Sequence, residues 1–175
     1  MHLPRRLLLI LALGLMSPAA PACNIIYGKE WAFVSQAPAG WEGYCGEDAP
    51  QGTNLLMLPE GKTWEDTDAV LYVSVFDRTQ PDLAAFVRDE QKSFLAESPS
   101  AKITPLQLPG KARPGMIFTR IDGAGGEKYE LAAYAEGPHA YYMIVLSNDS
   151  AALRERNRAA FIEYLDGFHA MERSR

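Results

Sequence analysis

The chain has 175 residues, with 17 Lys and Arg against 22 Asp and Glu and a net charge of −5. That length suits one ordinary domain with its own core. An acidic chain repels phosphate backbones, and no stretch clusters basic residues densely enough to reverse this, so nucleic-acid binding is not expected. The same charge argues against docking on an anionic membrane through basic residues.

The first 22 residues have the layout of a secretory signal peptide. Arg5 and Arg6 precede an apolar run at 7–16, and small residues ending in Ala20-Pro21-Ala22 follow. This pattern places cleavage before Cys23, and the run is too short for a permanent transmembrane anchor. We therefore expect a signal peptide at 1–22 and a periplasmic or secreted single domain at 23–175, with 15 basic and 22 acidic residues and a net charge of −7.

The two cysteines, Cys23 and Cys45, open the mature chain. In an exported protein an even cysteine count favours a disulfide, which would hold the amino terminus in place. The alternative is a lipoprotein, with Cys23 acylated at the membrane. Ala20 stands where a lipoprotein signal usually has a bulky aliphatic residue, so the disulfide is preferred. The two interpretations exclude each other, because an acylated Cys23 would leave Cys45 unpaired.

Proline and glycine divide the first half of the mature chain into short strands. An aromatic strand is predicted at 31–35, with Trp31 and Phe33 on one face, and it turns at 37–40 and returns as a strand at 41–44. Further strands are predicted at 54–58 and 69–76, the latter rich in Val, Tyr and Phe. These runs predict a hairpin followed by two more strands.

Two helices bracket the remaining strands. The first is predicted from Pro81 to Ser98, with Thr79 or Asp82 as its cap. Its apolar stripe consists of Leu83, Phe86, Val87, Phe94 and Leu95. Strands at 102–108, 116–121, 127–135 and 139–147 then form a meander, and a helix is predicted at 149–171, capped within 147–150. Consecutive strands with separate helices predict the α+β class, an antiparallel sheet packed by two main helices.

This order of elements resembles the PsbP-like fold superfamily, which includes a photosystem accessory subunit, a Ran-binding protein and many secreted bacterial proteins. Three segments carry the resemblance, namely Trp31-Ala-Phe-Val-Ser, the Ala37-Pro-Ala-Gly-Trp41 turn and the Ser147-Asn-Asp start of the last helix. The resemblance implies an α/β/α sandwich that works by binding another protein. It transfers no functional residue, because the fold hosts several unrelated roles.

No catalytic or cofactor signature is found. Gly-x-Ser-x-Gly, Ser-x-x-Lys, His-Glu-x-x-His and Cys-x-x-Cys are all absent, and Gly61-Lys62-Thr63 lacks the first glycine of a phosphate-binding loop. His139 and His169 lie far apart in the sequence and have no metal-ligand spacing. The acidic tract at 65–68 lacks the alternation of a calcium loop and is interpreted as a solvated loop. We therefore predict no catalytic residue, cofactor or metal.

Aromatic residues beside polar loops are the remaining candidates for a binding surface. Trp41, Tyr44 and Trp64 flank such loops, and aromatic side chains dominate the energetics of protein interfaces. The leading hypothesis is a non-catalytic factor (accessory, assembly or toxin-neutralising) that binds a periplasmic or envelope protein. A small-ligand carrier, with a pocket on the sheet face lined by tyrosines, is the second. A hydrolase with an unrecognised site is the third.

Overall fold

The computed structural model describes residues 23–46, 49, 52–108, 115–125 and 127–172. The predicted signal peptide at 1–22 lies outside the described residues. The strands are β1 (Ile25–Tyr27), β2 (Trp31–Val34), β3 (Trp41–Cys45), β4 (Leu55–Pro59), β5 (Ala69–Asp77), β6 (Lys102–Pro105), β7 (Ile117–Ala124), β8 (Lys128–Glu136), β9 (Ala140–Asn148) and β10 (His169–Glu172). The helices are α1 (Leu83–Glu97) and α2 (Ala151–Gly167).

A seven-stranded antiparallel sheet forms the centre, in the order β3-β4-β5-β9-β8-β7-β6. Helix α1 packs on one face of this sheet, against β7 and β8, while α2 packs on the other face, against β5, β8 and β9. Side chains alternate between faces along each strand, so each helix covers its own apolar cluster. The architecture confirms the predicted α+β class, an antiparallel sheet packed by two main helices in an α/β/α sandwich.

Both helices begin at side-chain caps that the sequence suggested. The Asp82 carboxylate accepts a hydrogen bond from the Ala85 amide at 2.7 Å, and the Ser150 hydroxyl accepts one from the Leu153 amide at 3.2 Å. Each bond satisfies an amide that the first helical turn leaves without a backbone partner. The predicted stripe of α1 is buried at Leu83, Phe86 and Val87, and Phe94 packs partly against the same cluster, whereas Leu95 is exposed.

The predicted hairpin between 31–35 and 41–44 is wrong. The two strands exist, but β2 belongs to a separate three-stranded sheet, in the order β1-β2-β10, and β3 pairs with β4. The predicted turn is present, with the Trp41 amide donating to the Pro38 carbonyl at 3.0 Å, but the six residues that join β2 to β3 lead the chain from one sheet to the other. Neither β1 nor β10 was predicted, because each is only three or four residues long.

The last helix ends earlier than predicted. It stops at Gly167, and Phe168 adopts an extended backbone that starts β10. The Phe168 ring packs against Phe33 and Tyr142, each with a centroid separation of 5.5 Å. Burial of this ring contributes more free energy than the few helical hydrogen bonds that one more turn would add. Residues 168–171 therefore leave the helix, and His169 lies in a strand.

A hydrogen bond and a cysteine pair also join the small sheet and the amino terminus to the main sheet. The Tyr142 hydroxyl of β9 donates a hydrogen bond to the Ala32 carbonyl of β2 at 3.2 Å. The sulfur atoms of Cys23 and Cys45 lie 2.15 Å apart, at disulfide-bond distance, with a Cα–Cα separation of 6.2 Å. The cysteine pair joins Cys23, two residues before β1, to Cys45, the last residue of the edge strand β3.

Candidate functional site

Helix α1 leaves part of its sheet face uncovered, over β4, β5 and the adjoining edge of β9. On that face β5 presents Val70, Tyr72, Ser74 and Phe76 in alternation, and all four line an open groove of about 620 Å³. Leu56 of β4 and Met143 of β9 line it on either side of β5. The volume falls within the range of ligand-binding clefts, and apolar atoms supply most of the lining surface, as is typical of such clefts.

The loop at 60–68 forms one wall and presents Trp64, whose side chain is 57% exposed. The loop is held by its own polar groups. Asp66 accepts hydrogen bonds from the Thr63 amide at 2.7 Å and the Thr63 hydroxyl at 3.0 Å. These bonds, together with the Lys62 charge, hold the pKa of Asp66 below its ordinary value. At the end of the loop the Thr67 hydroxyl donates to the Ala69 carbonyl at 2.6 Å.

The segment before β4 forms the opposite wall. The Ser74 hydroxyl donates to the Gly52 carbonyl at 2.9 Å, and Gly52 lines the groove together with Thr53. The Asn54 side chain accepts a hydrogen bond from the Val75 amide at 2.9 Å and thereby continues the pairing of β4 with β5. Both walls are therefore tied to β5, which supports a preformed groove.

Charged groups lie at one end of the groove, where β8 begins and β9 ends. Lys128 and Asp149 form an ion pair there, and the Asp149 amide donates to the Asp68 carbonyl at 3.0 Å. All three residues line the groove. The Lys128 ammonium is neutralised by Asp149, so Asp68 sets the sign of the charge at this end.

A narrower slot of about 180 Å³ continues beneath the carboxyl-terminal half of α1. It shares Tyr72 and Met143 with the groove, and Phe94 and Ile103 add apolar surface. Glu90 lies at the slot, and burial raises the pKa of its carboxyl group. The groove thus has an open floor on β5 and a deeper apolar extension under the helix.

A buried carboxyl group lies behind the groove. Glu130 of β8 is 8% exposed, and burial raises its pKa, although a hydrogen bond with Ser147 and the Lys128 charge oppose that effect. Burial also raises the pKa of Tyr72, and the Glu130 charge adds to it. Glu130 pairs with Ser147 in the sheet, and Ser147 lines the groove. A buried carboxyl group therefore lies beside the Ser147 hydroxyl at the edge of the groove.

The structure separates the three aromatic residues proposed as an interface. Trp64 lines the groove, and Tyr44 lies on the same face of the sheet, since it pairs with Leu56. The Tyr44 hydroxyl donates to Glu42 at 3.2 Å. Trp41 lies on the other face of β3 and packs partly against the core beneath α2. Alternation along β3 therefore keeps Trp41 away from any surface formed by the other two.

The tyrosines of the meander do not line the open groove. Tyr134, Tyr141 and Tyr142 are buried, the first two under α1 and the third beneath the small sheet. The groove tyrosine is Tyr72 of β5, which sequence reasoning missed together with Val70 and Phe76. Their alternation on a strongly apolar strand was visible, but whether a helix covers that face is not a local property.

A metal site and a membrane-spanning helix are two further possibilities within the described residues. No group of three or more His, Cys, Asp or Glu side chains within that part of the chain is arranged to hold a metal ion. Neither of the two helices described is long and apolar enough to cross a membrane. Within the described ranges the groove is therefore the strongest candidate for a binding site.

Comparisons with known proteins bear on the fold. No family model matches the sequence, and no curated protein matches it. The structure is similar to the solution structure of cyanobacterial PsbP (CyanoP) from Synechocystis sp. PCC 6803, with a TM-score of 0.51 and 14% sequence identity. The similarity covers 93% of this chain and 99% of that one. The chain has the PsbP-like fold.

Proposed function

We propose that this protein is exported and acts without catalysis, as an accessory factor that binds another protein through the groove on β5. The observation that carries the proposal is the open, largely apolar groove whose wall presents an exposed Trp64. Exposed tryptophan beside a preformed apolar cleft is typical of an interface hot spot. Hydrogen bonds within the walls limit the ordering cost of binding.

Two further points support export. The Cys23–Cys45 pair at disulfide distance suits an oxidising compartment such as the periplasm. The signal-like segment at 1–22 and cleavage before Cys23 complete the proposal. A disulfide also argues against acylation of Cys23, so the mature protein is proposed to be a periplasmic or secreted protein without a lipid anchor.

The test is affinity purification of the tagged protein from its native host, comparing wild type with two variants. Trp64→Ala removes the groove tryptophan, and Tyr27→Ala is the matched control, since Tyr27 is an equally exposed aromatic residue (61%) on β1 in the small sheet. We expect wild type and Tyr27→Ala to recover one partner in stoichiometric amount. Trp64→Ala should weaken binding about 30-fold, the effect of losing a hot spot of about 2 kcal/mol.

Two results would count against this proposal. Repeated purification without any stoichiometric partner would contradict the protein-binding role. Equal recovery with Trp64→Ala would remove the groove from that role.

A small-ligand carrier is the second candidate, and the slot beneath α1 favours it, because it deepens the groove into a partly enclosed cavity. Organic extraction of the native protein followed by mass spectrometry distinguishes a small-ligand carrier from a protein-binding factor. One recurring small molecule at equimolar amount, without a protein partner, would establish the carrier.

A further inference from the structure

We infer that the groove takes a short, extended apolar segment of the partner that is flanked by lysine or arginine. This inference rests on the proposed function and adds the chemistry of the bound segment. It depends on the shape of the groove floor and on the charge of its wall.

The groove floor matches an extended peptide in length. Val70, Tyr72, Ser74 and Phe76 occupy alternate positions of β5 and all face the groove. Six residue steps along a strand span about 20 Å, the length of an extended segment of about six residues. The slot beneath α1 opens from the middle of this row, at Tyr72, and offers a place for one large apolar side chain.

The wall that presents Trp64 is strongly acidic. Residues 60–68 contain four acidic side chains, Glu60, Glu65, Asp66 and Asp68, against the single basic Lys62. All four acidic residues are exposed. Asp66 is engaged with Thr63 and Lys62 inside the loop. Within the described part of the chain, the Glu65 and Asp68 carboxylates make no ion pair, so their charge is uncompensated; Asp68 lines the groove, and Glu65 is next to the groove residue Trp64 in the sequence.

Among the described residues, the groove lining offers no uncompensated positive charge. Lys128, its only basic lining residue among those described, is paired with Asp149. A segment carrying acidic residues would therefore meet repulsion along the Trp64 wall, whereas lysine or arginine at its ends would be attracted. Arginine or lysine could also lie over the exposed Trp64 ring.

The experiment is an NMR titration of the ¹⁵N-labelled mature protein with two capped hexapeptides. Both have the same four apolar residues at the centre; one has lysine at each end and the other has glutamate. The chain has three tryptophans, so a Trp64→Phe variant identifies the Trp64 indole signal. We expect the lysine peptide to shift the Trp64 indole and the Val70 and Tyr72 amides, and to bind more weakly at high salt.

Charge-reversal variants test the wall directly. Glu65→Lys should weaken binding of the lysine peptide about threefold, the scale of one exposed ion pair. Glu30→Lys is the matched control, because Glu30 is equally exposed but lies in the turn between β1 and β2. It should leave binding unchanged.

Each contrary outcome has a separate meaning. Equal binding of both peptides at the groove would overturn the charge inference while leaving a protein-binding groove in place. Shifts confined to another surface would overturn the inference as well. The same titration is repeated with dodecyltrimethylammonium, a small cationic molecule with one alkyl chain. If it binds at the groove and neither peptide does, both the inference and the protein-binding role are overturned in favour of a small-ligand carrier.

Discussion

Arg154 of α2 forms an ion pair with Asp122 of β7, and the Arg154 side chain is only 1% exposed. Asp122 also pairs with Arg120 at 3.0 Å, and the Arg154 guanidinium lies over the Tyr129 ring at 5.7 Å from its centroid. A buried guanidinium is costly unless its charge is compensated. Asp122 therefore compensates the charge that the close packing of α2 on the sheet buries.

Asp122→Ala should destabilise the fold by about 3 kcal/mol, because it leaves the Arg154 charge buried without its main partner. For a domain of this size that corresponds to a fall in Tm of about 10 °C. The control is Glu155→Ala, since Glu155 is exposed and lies 3.6 Å from the Arg154 Nε atom. It should cost less than about 1 kcal/mol. If both variants lose the same unfolding free energy in urea, Asp122 is not the residue that compensates the buried charge of Arg154.

The same pair predicts a response to acid. Burial raises the pKa of Asp122, but the hydrogen bonds and charges of Arg120 and Arg154 outweigh it, so the pKa lies below its ordinary value. The stability that this carboxylate contributes is present above the unfolded-state pKa and is lost as the pH falls through the lowered folded-state pKa. Wild type should therefore lose more stability than Asp122→Ala between neutral and strongly acidic pH.

Glu130→Gln should stabilise the protein at neutral pH. Because burial raises the Glu130 pKa, the folded state holds this proton to higher pH than the unfolded chain does. The stability of the folded state is therefore greatest below the unfolded-state pKa, and it falls as the pH rises toward the folded-state pKa. The neutral glutamine removes that loss, and each kcal/mol gained would raise Tm by about 2–4 °C.

Calorimetry at pH 4 and pH 7 checks this prediction. The gain should appear at pH 7 and be nearly absent at pH 4, where the wild-type carboxyl is largely protonated. Glu97→Gln, at an exposed position on α1, is the control and should change Tm little at either pH. A less stable Glu130→Gln at pH 7 would mean that the fold uses the ionised carboxylate.

Cys45→Ser should cost about 3 kcal/mol in the chain-entropy model, because it opens a loop closed across 22 residues of sequence separation. Cys23→Ser should lower the free energy of unfolding by the same amount, since either substitution removes the Cys23–Cys45 disulfide. Reduction of the wild type should reproduce both in urea unfolding. Intact mass spectrometry of the native protein provides the independent check: acyl chains on Cys23 with a free Cys45 thiol would contradict the disulfide.

Much of the fold follows from local pattern. The Val-, Tyr- and Phe-rich run at 69–76 became β5, the four meander strands appeared within a few residues of their predicted positions, and Asp82 caps α1 as one of the two suggested residues. These features depend on neighbours in the sequence, through side-chain alternation and capping hydrogen bonds. The order of the predicted elements also indicated the α+β class, and the resemblance to a known superfamily indicated the PsbP-like fold.

The remaining features depend on contacts between distant parts of the chain. The short strands β1 and β10 exist because β2 lies between them, and Phe168 leaves α2 because its ring fills a space beside Phe33 and Tyr142. The groove lies beside α1, which packs mainly on β7 and β8 and meets β5 at Phe76 through the Phe86 ring. Sequence determined which segments are apolar, helical or extended, since those are local properties. Only the tertiary structure decided which apolar faces are covered, because coverage depends on where each helix packs.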